Sequence, residues 1–224
     1  MFVWSGLLRD PARSMKAPMN QVVRTEVRTI RNVCVYCGSA DAVDPTYVAA
    51  AAELGAILAR TGLRLVYGGG SNGLMGAVAR SAIENGGSVT GIIPEFLKSR
   101  ELMLKSAQDL VVVPDMHTRK RLMFERADAF VALPGGIGTL EELVEQLTWV
   151  QLERHSKPVV IVDIGGFWRP LLSLFAHMRE HGFIRPEFEV RYLVAERIED
   201  VIPMLQAAAA RRPIERGQRL DPRL

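Results

Sequence analysis

Residues 129–142, Ala129-Phe130-Val131-Ala132-Leu133-Pro134-Gly135-Gly136-Ile137-Gly138-Thr139-Leu140-Glu141-Glu142, join a short apolar run to a glycine-rich loop and then to a helical pattern. The apolar run is typical of a strand that is buried on both faces of a parallel sheet. Glycines allow a backbone to approach a ligand closely, and the first turn of a helix offers free N–H groups to an anion. This stretch therefore predicts a strand, a phosphate-binding loop and a helix in succession.

The same alternation extends along most of the chain. Strands are predicted at 33–37, 63–67, 89–93, 110–113, 129–133, 159–162 and 192–194, and helices at 45–60, 74–84, 116–127, 139–152, 168–181 and 198–209. Asp44 is a good N-cap for the first helix, and Gly62 can end it in the left-handed conformation. The pattern predicts the α/β class, as a single doubly wound Rossmann-like domain with a mostly parallel sheet, whose ligand binds beyond the carboxyl ends of the strands.

The length of 224 residues suits one such domain. We expect it to span residues 30–210, between a flexible N-terminal extension at 1–29 and a C-terminal tail at 211–224. Hydrophobic residues make up 48% and charged residues 24%, which is usual for a globular protein. Much of the net charge of +3 comes from arginines near the two ends, which indicates solvated ends rather than a nucleic-acid partner.

Cysteine usage and hydropathy bear on location. Cys34 and Cys37 have the spacing of a redox pair. Because they are three residues apart in a predicted strand, their side chains point to opposite faces of the sheet, which favours buried structural thiols over a redox pair. Apolar runs fall short of a membrane span, and the first residues lack a basic leader. We expect a cytoplasmic protein that does not associate with membranes.

The string Gly68-Gly69-Gly70-Ser71-Asn72-Gly73 matches the G-x-G-x-x-G pattern between a strand and a helix. A dinucleotide site also requires an acidic residue at the end of the next strand, where this chain has Ile93-Pro94. A second interpretation is that Gly73 and Gly76 only allow a helix to pack tightly against the sheet. The wall of a mononucleotide pocket fits the string better than either.

Two carboxylates follow the second glycine loop, where they would repel a phosphate. Glu142 is explained if it faces another part of the ligand, such as the ribose carbon. Thr139-x-x-Glu142 is equally the pattern of a capping box, in which Glu142 would reach back to its own helix start. The spacing leaves both interpretations open.

A third polar segment, Asp115-Met116-His117-Thr118-Arg119-Lys120-Arg121, follows a predicted strand at the same edge of the sheet. Arg119 and Lys120 could hold a phosphate or the leaving base, although an isolated basic pair is more often a solvated helix face. Glu101 lies in a long loop after Pro94, and such loops are often functional.

Together these segments resemble the cytokinin-activating phosphoribohydrolases, the "Lonely guy" family. The resemblance rests on Cys37-Gly38-Ser39, on Tyr67–Gly76, on Asp115-Met116-His117-x-Arg119-Lys120 and on the Pro134–Glu142 loop. It implies a homodimer that hydrolyses N6-substituted adenosine 5′-monophosphate to free base and ribose 5-phosphate, with neither a cofactor nor a metal.

The resemblance also implies which residues form the site. Arg119 and Glu142 are the catalytic pair. Substrate contacts fall on Glu101, Lys120, Gly136, Ile137, Gly138, Thr139, Leu140 and Glu141. Gly38, Ser39, Gly69, Gly70 and Met116 are candidates for the pocket wall. Ile137 stands where plant members commonly have Tyr.

Other functions make different predictions. Members of the family often carry the label lysine decarboxylase, which would require a Schiff-base lysine, yet Lys120 alone among the lysines lies in a motif. A non-catalytic nucleotide or cofactor carrier could use the same loops, but it has little use for the charge of Glu141 and Glu142. The missing acidic residue after the third strand disfavours an NAD(P)-dependent oxidoreductase.

Overall fold

A computed structural model of the protein describes residues 29–98 and 109–210. The strands are β1 Asn32–Tyr36, β2 Arg64–Tyr67, β3 Val89–Pro94, β4 Asp109–Val113, β5 Ala129–Ala132, β6 Val159–Val162 and β7 Leu193–Ala195. The helices are α1 Pro45–Arg60, α2 Gly73–Glu84, α3 Met116–Arg126, α4 Ile137–Gln151, α5 Arg169–Glu180 and α6 Val201–Ala210. Residues 1–28 of the predicted extension, the predicted tail at 211–224 and Glu101 lie outside the described residues.

The seven strands form one sheet in the order β4-β3-β2-β1-β5-β6-β7, and each neighbouring pair is parallel. The predicted doubly wound, Rossmann-like domain is confirmed. The chain winds outward from β1 to β4 on one side and continues from β5 to β7 on the other. The carboxyl ends of β1 and β5 therefore form the switch point, the place where open α/β sheets bind ligands.

Helices cover both faces of the sheet. On one face α1, α2 and α6 pack against alternate strand residues such as Val33 and Val35. On the other face α3, α4 and α5 pack against the residues between them, such as Cys34. Because successive side chains of a strand point to opposite faces, each strand contributes to both apolar layers.

The predicted strand bounds agree with the structure to within one residue. The Asp44 carboxylate accepts a hydrogen bond from the Thr46 amide at 2.8 Å, and Gly62 has a φ of 69°, so both predicted ends of α1 are confirmed. The predicted start of α4 at Thr139 is wrong by two residues, since α4 begins at Ile137. Among the described residues, no helix combines the length and the apolarity that a membrane span needs.

The two cysteines are buried, free and on opposite faces of the sheet. Burial raises the pKa of both thiols well above its usual range, so both stay protonated. A thiol is nucleophilic only as the thiolate, so this result confirms the structural interpretation over the redox pair.

Close packing of α1 on α2 generates a test of the fold. A Cβ at Gly55 would collide with the Val78 carbonyl and lie 3.0 Å from the Ala82 nitrogen. Although alanine is the better helix former, Gly55→Ala should lower the free energy of unfolding by about 1–3 kcal/mol through overpacking. Urea denaturation measures this change, and an unchanged or raised free energy would show that α1 and α2 do not approach so closely.

Candidate functional site

A cavity of about 280 Å³ opens at the switch point, between the ends of β1 and β2 and the first turns of α3 and α4. Its volume lies near the lower end of the range for small-ligand pockets. The lining residues are Val35, Tyr36, Cys37, Gly38, Ser39, Gly68, Met75, Arg119, Met123, Gly136, Ile137, Gly138, Thr139 and Glu142.

Eight residues predicted for the site meet in this cavity: Arg119, Glu142, Gly136, Ile137, Gly138, Thr139, Gly38 and Ser39. Of the predicted residues that the structure describes, Lys120, Leu140, Glu141, Gly69, Gly70 and Met116 do not line it. Six lining residues are not among the predicted ones: Val35, Tyr36, Cys37, Gly68, Met75 and Met123. Gly68 opens the first glycine string, so the string indicates the correct loop, but its first glycine lines the cavity instead of Gly69 or Gly70.

Gly38, directly after β1, ties the surrounding loops together. Its N–H donates to the Pro134 carbonyl at 3.1 Å, and its carbonyl accepts from the amides of Leu74 at 3.0 Å and Met75 at 3.3 Å. A Cβ at this position would lie 3.2 Å from Gly135 Cα, so the two backbones touch. The first turns of α2 and α4 are therefore held against the end of one strand.

The first turn of α4 faces the cavity with free donors. Gly136 is the N-cap, and the Leu140 amide makes the first helical bond, to the Gly136 carbonyl at 3.0 Å. Within the described chain, no side chain caps this helix. The amides of Ile137, Gly138 and Thr139 precede the first helical bond, and together with the helix dipole they make an anion site.

This helix start decides between the two interpretations of Thr139-x-x-Glu142. A capping box requires Thr139 at the N-cap, whereas Thr139 is the third residue inside the helix. Glu142 lies nearly one turn further along and lines the cavity. The capping-box interpretation is therefore wrong.

The start of α2 differs, although its sequence looks similar. The Gly73 amide donates to the Asp41 carboxylate at 2.8 Å, and the next two amides donate to Gly38. A Cβ at Gly73 would lie 2.7 Å from the carbonyl carbon of Ser39, and one at Gly76 would collide with the Ser71 carbonyl. Gly73 and Gly76 are therefore closely packed against loop backbone at Ser39, Ala40 and Ser71 rather than against a strand of the sheet, and the donors of this helix start are already satisfied.

Arg119 is buried, with only 6% of its surface exposed. Its Nε donates to the Ile92 carbonyl at 3.2 Å, and its Nη1 lies 3.6 Å from Glu142 Oε1. A Cβ at Gly68 would collide with the guanidinium, so the absence of a side chain there makes room for Arg119. The solvated-face interpretation is wrong for Arg119, which forms a buried charge pair with Glu142.

Lys120, the next residue, lies outside the cavity. Its Nζ donates to Glu141 Oε1 at 2.6 Å and to Glu145 Oε1 at 3.0 Å, which ties α3 to α4. Burial lowers the pKa of Lys120, but the hydrogen bonds to the two carboxylates outweigh burial and raise that pKa above its usual value. A Schiff-base lysine must react in its neutral form, so this pairing is unfavourable for the chemistry of a lysine decarboxylase.

The remaining predicted residues have other contacts. The sulfur of Met116 lies 3.8 Å from Arg119 Nη1, and the side chain of Leu140 packs against the apolar layer beneath α4. Gly69 and Gly70 follow Gly68 in the same loop and are buried, and a Cβ at Gly69 would lie 3.0 Å from Ile93 Cβ. Lys98 pairs with Glu95, and Lys157 donates to the Phe124 carbonyl. Neither of these lysines is among the described residues that line the cavity.

The chain is similar to several known proteins. Residues 75–205 match the family model described as "Possible lysine decarboxylase". The cytokinin riboside 5′-monophosphate phosphoribohydrolase of Rhodococcoides fascians is 44% identical over 80% of this chain and 91% of the relative. An enzyme of the same name from Arabidopsis thaliana is 39% identical over 84% of this chain and 92% of the relative.

Solved structures show the same fold in more distant proteins. A molybdenum cofactor carrier protein from Chlamydomonas reinhardtii has a TM-score of 0.62 at 21% identity, over 82% of this chain and 100% of that chain. A molybdenum cofactor binding protein from Rippkaea orientalis has a TM-score of 0.59 at 22% identity, over 79% and 96%. At this identity the likeness is one of fold alone.

The glycines of the second loop have separable roles that stability measurements can distinguish. A Cβ at Gly135 would collide with Thr139 and lie 2.8 Å from the Gly38 nitrogen, whereas one at Gly138 would meet no described atom within 4 Å. Gly135→Ala should lower the free energy of unfolding by about 1–3 kcal/mol. Gly138→Ala should leave it unchanged or raise it by up to about 1 kcal/mol, because alanine favours the helix. Urea denaturation of both variants checks this order, and equal losses would contradict it.

Proposed function

The chain belongs to the family of cytokinin riboside 5′-monophosphate phosphoribohydrolases, and from this membership we propose that it hydrolyses the N-glycosidic bond of an N6-substituted adenosine 5′-monophosphate. The products are the free purine base, a cytokinin, and ribose 5-phosphate. One observation carries the proposal: the buried Arg119–Glu142 pair lies in the same cavity as the uncapped N-terminus of α4.

The 5′-phosphate binds at the first turn of α4. The amides of Ile137, Gly138 and Thr139 supply donors there, and the helix dipole favours a negative charge. Gly136 and Gly138 have open space where a side chain would project, so no contact among the described residues requires glycine at either position. Glycine there allows the phosphate to approach the backbone closely.

Glu142 acts at the ribose. When the bond between the anomeric carbon and the purine nitrogen breaks, its electrons leave with the base and positive charge develops on the ribose. A carboxylate nearby stabilises that charge and can take a proton from the water that attacks the same carbon. The purine nitrogen gains a proton as the base departs, so the reaction consumes one water.

Arg119 balances the charge of Glu142 and presents a cation to the ligand. A carboxylate that is only 8% exposed would be costly to bury alone, and a cation 3.6 Å away offsets that cost. The Ile92 carbonyl holds the guanidinium from behind, so its direction is set before substrate arrives. From this position Arg119 can orient the phosphate or favour the departure of the purine.

We further propose that the protein is a cytoplasmic homodimer. The family resemblance implies a dimer. The two buried free thiols fit a reducing compartment. Light scattering on the purified chain should give twice the mass of 24.8 kDa, and a monomer would overturn the dimer.

A chromatographic assay tests the reaction itself. The purified chain should convert isopentenyl-AMP to isopentenyladenine and ribose 5-phosphate, with AMP as a second substrate to be compared. The corresponding nucleosides should react far more slowly, because they lack the phosphate that α4 binds. Tight binding of the nucleotide without any product would instead indicate a non-catalytic carrier.

Replacement of Glu142 tests the chemical role. Glu142→Gln should lower kcat by at least about 100-fold, the scale on which acid–base or electrostatic stabilisation is lost. Glu145→Gln is the matched control on the same helix, because Glu145 contacts Lys120 and does not line the cavity in the described structure. Full kcat in Glu142→Gln would falsify the role of Glu142. Arg119→Ala should also lose activity while it remains folded by circular dichroism.

A further inference from the structure

The C-terminal end of α5 carries a cluster of metal-binding side chains that the reaction does not use. His177, Glu180 and His181 each offer one donor atom, and these atoms lie within 4.8 Å of one another. The spacing explains the cluster, since residues three and four apart on a helix share one face. The imidazole rings are 4.1 Å apart between centroids.

A hydrogen bond to a backbone carbonyl fixes the tautomer of the His181 ring. Its Nδ1 lies 3.0 Å from the His177 carbonyl. A carbonyl can only accept, so in the neutral ring Nδ1 carries the proton and Nε2 keeps its lone pair. Histidine ligands in metal sites commonly donate their second ring nitrogen to a carbonyl or carboxylate in this way, which fixes both the tautomer and the direction of the ring.

We propose that His177, Glu180 and His181 form a surface site for a divalent transition metal, with Zn²⁺ as the ion best matched to it. Two imidazoles and a carboxylate are a common ligand set for Zn²⁺, and water completes a tetrahedron. A tetrahedral ion with bonds of about 2.1 Å holds its ligand atoms about 3.4 Å apart, so small rotations of exposed side chains close the site. Oxygen-preferring ions such as Mg²⁺ are poorly suited to imidazole.

The order His-x-x-Glu-His also occurs in zinc peptidases, where the glutamate activates a water. Here all three side chains are exposed, and none of them lines the described cavity. A peptidase must enclose its substrate beside the metal, so the geometry supports metal binding without hydrolysis. Bound metal would join the last turn of α5 to its C-cap residue and stabilise that end of the helix.

Equilibrium dialysis of the full chain, freed of any histidine tag, against Zn²⁺ tests the site. The wild-type chain should bind one Zn²⁺ and show a higher Tm with the ion than without it. His177→Gln and His181→Gln should each weaken binding at least about tenfold and abolish the rise in Tm. Both positions are exposed, so circular dichroism should show the variants folded.

Further variants locate the ligands. His117 is exposed on a different helix, so His117→Gln is the matched control and should bind Zn²⁺ like the wild type. Wild-type affinity in both His177→Gln and His181→Gln, or a loss in His117→Gln, would overturn the site. Unchanged affinity in Glu180→Gln would overturn the carboxylate as third ligand. Phosphoribohydrolase activity without metal should be the same in His177→Gln and the wild type, which separates this site from the catalytic one.

Discussion

The contact between the Gly38 and Gly135 backbones holds together the loops of the candidate site. Gly38 donates to the loop before α4 and accepts from two amides of α2, so one residue after β1 sets the position of both helix starts. This arrangement requires two adjacent parallel strands from which the chain continues toward opposite edges of the sheet, as it does after β1 and β5. A side chain at Gly135 would collide with Thr139 and with the Gly38 nitrogen, and one at Gly38 would press on Gly135 Cα at 3.2 Å.

Two glycine-rich loops of similar sequence acquire different roles through their hydrogen bonds. At the start of α2 the first three amides donate to Asp41 and Gly38, so their hydrogen bonds are satisfied within the protein. At α4 no side chain in the described residues caps the helix, and the donors face a cavity. Backbone N–H groups need partners, so the partners already present distinguish a packing element from a ligand-binding one.

Much of the fold could be predicted from the sequence because its strands are short apolar runs with clear stop signals. Asp44, Gly62 and the strand ends depend on local chemistry, and local patterns describe them well. The site was harder to predict because it depends on contacts between distant segments. Arg119 is buried in space that Gly68 leaves open, and Lys120 is paired with Glu141 and Glu145 of α4. A start of α4 predicted two residues late makes a capping box plausible. The reason is that a threonine within the first turn resembles an N-cap threonine in sequence.

The cavity draws its lining from residues between Val35 and Glu142. Strands β6 and β7 form one end of the sheet, α5 and α6 cover its opposite faces, and among the described residues none of these elements lines the cavity. The outer surface of this C-terminal part therefore contributes no described residue to the cavity. A reporter group attached to the outer surface of α5 or α6 would therefore lie away from the described cavity.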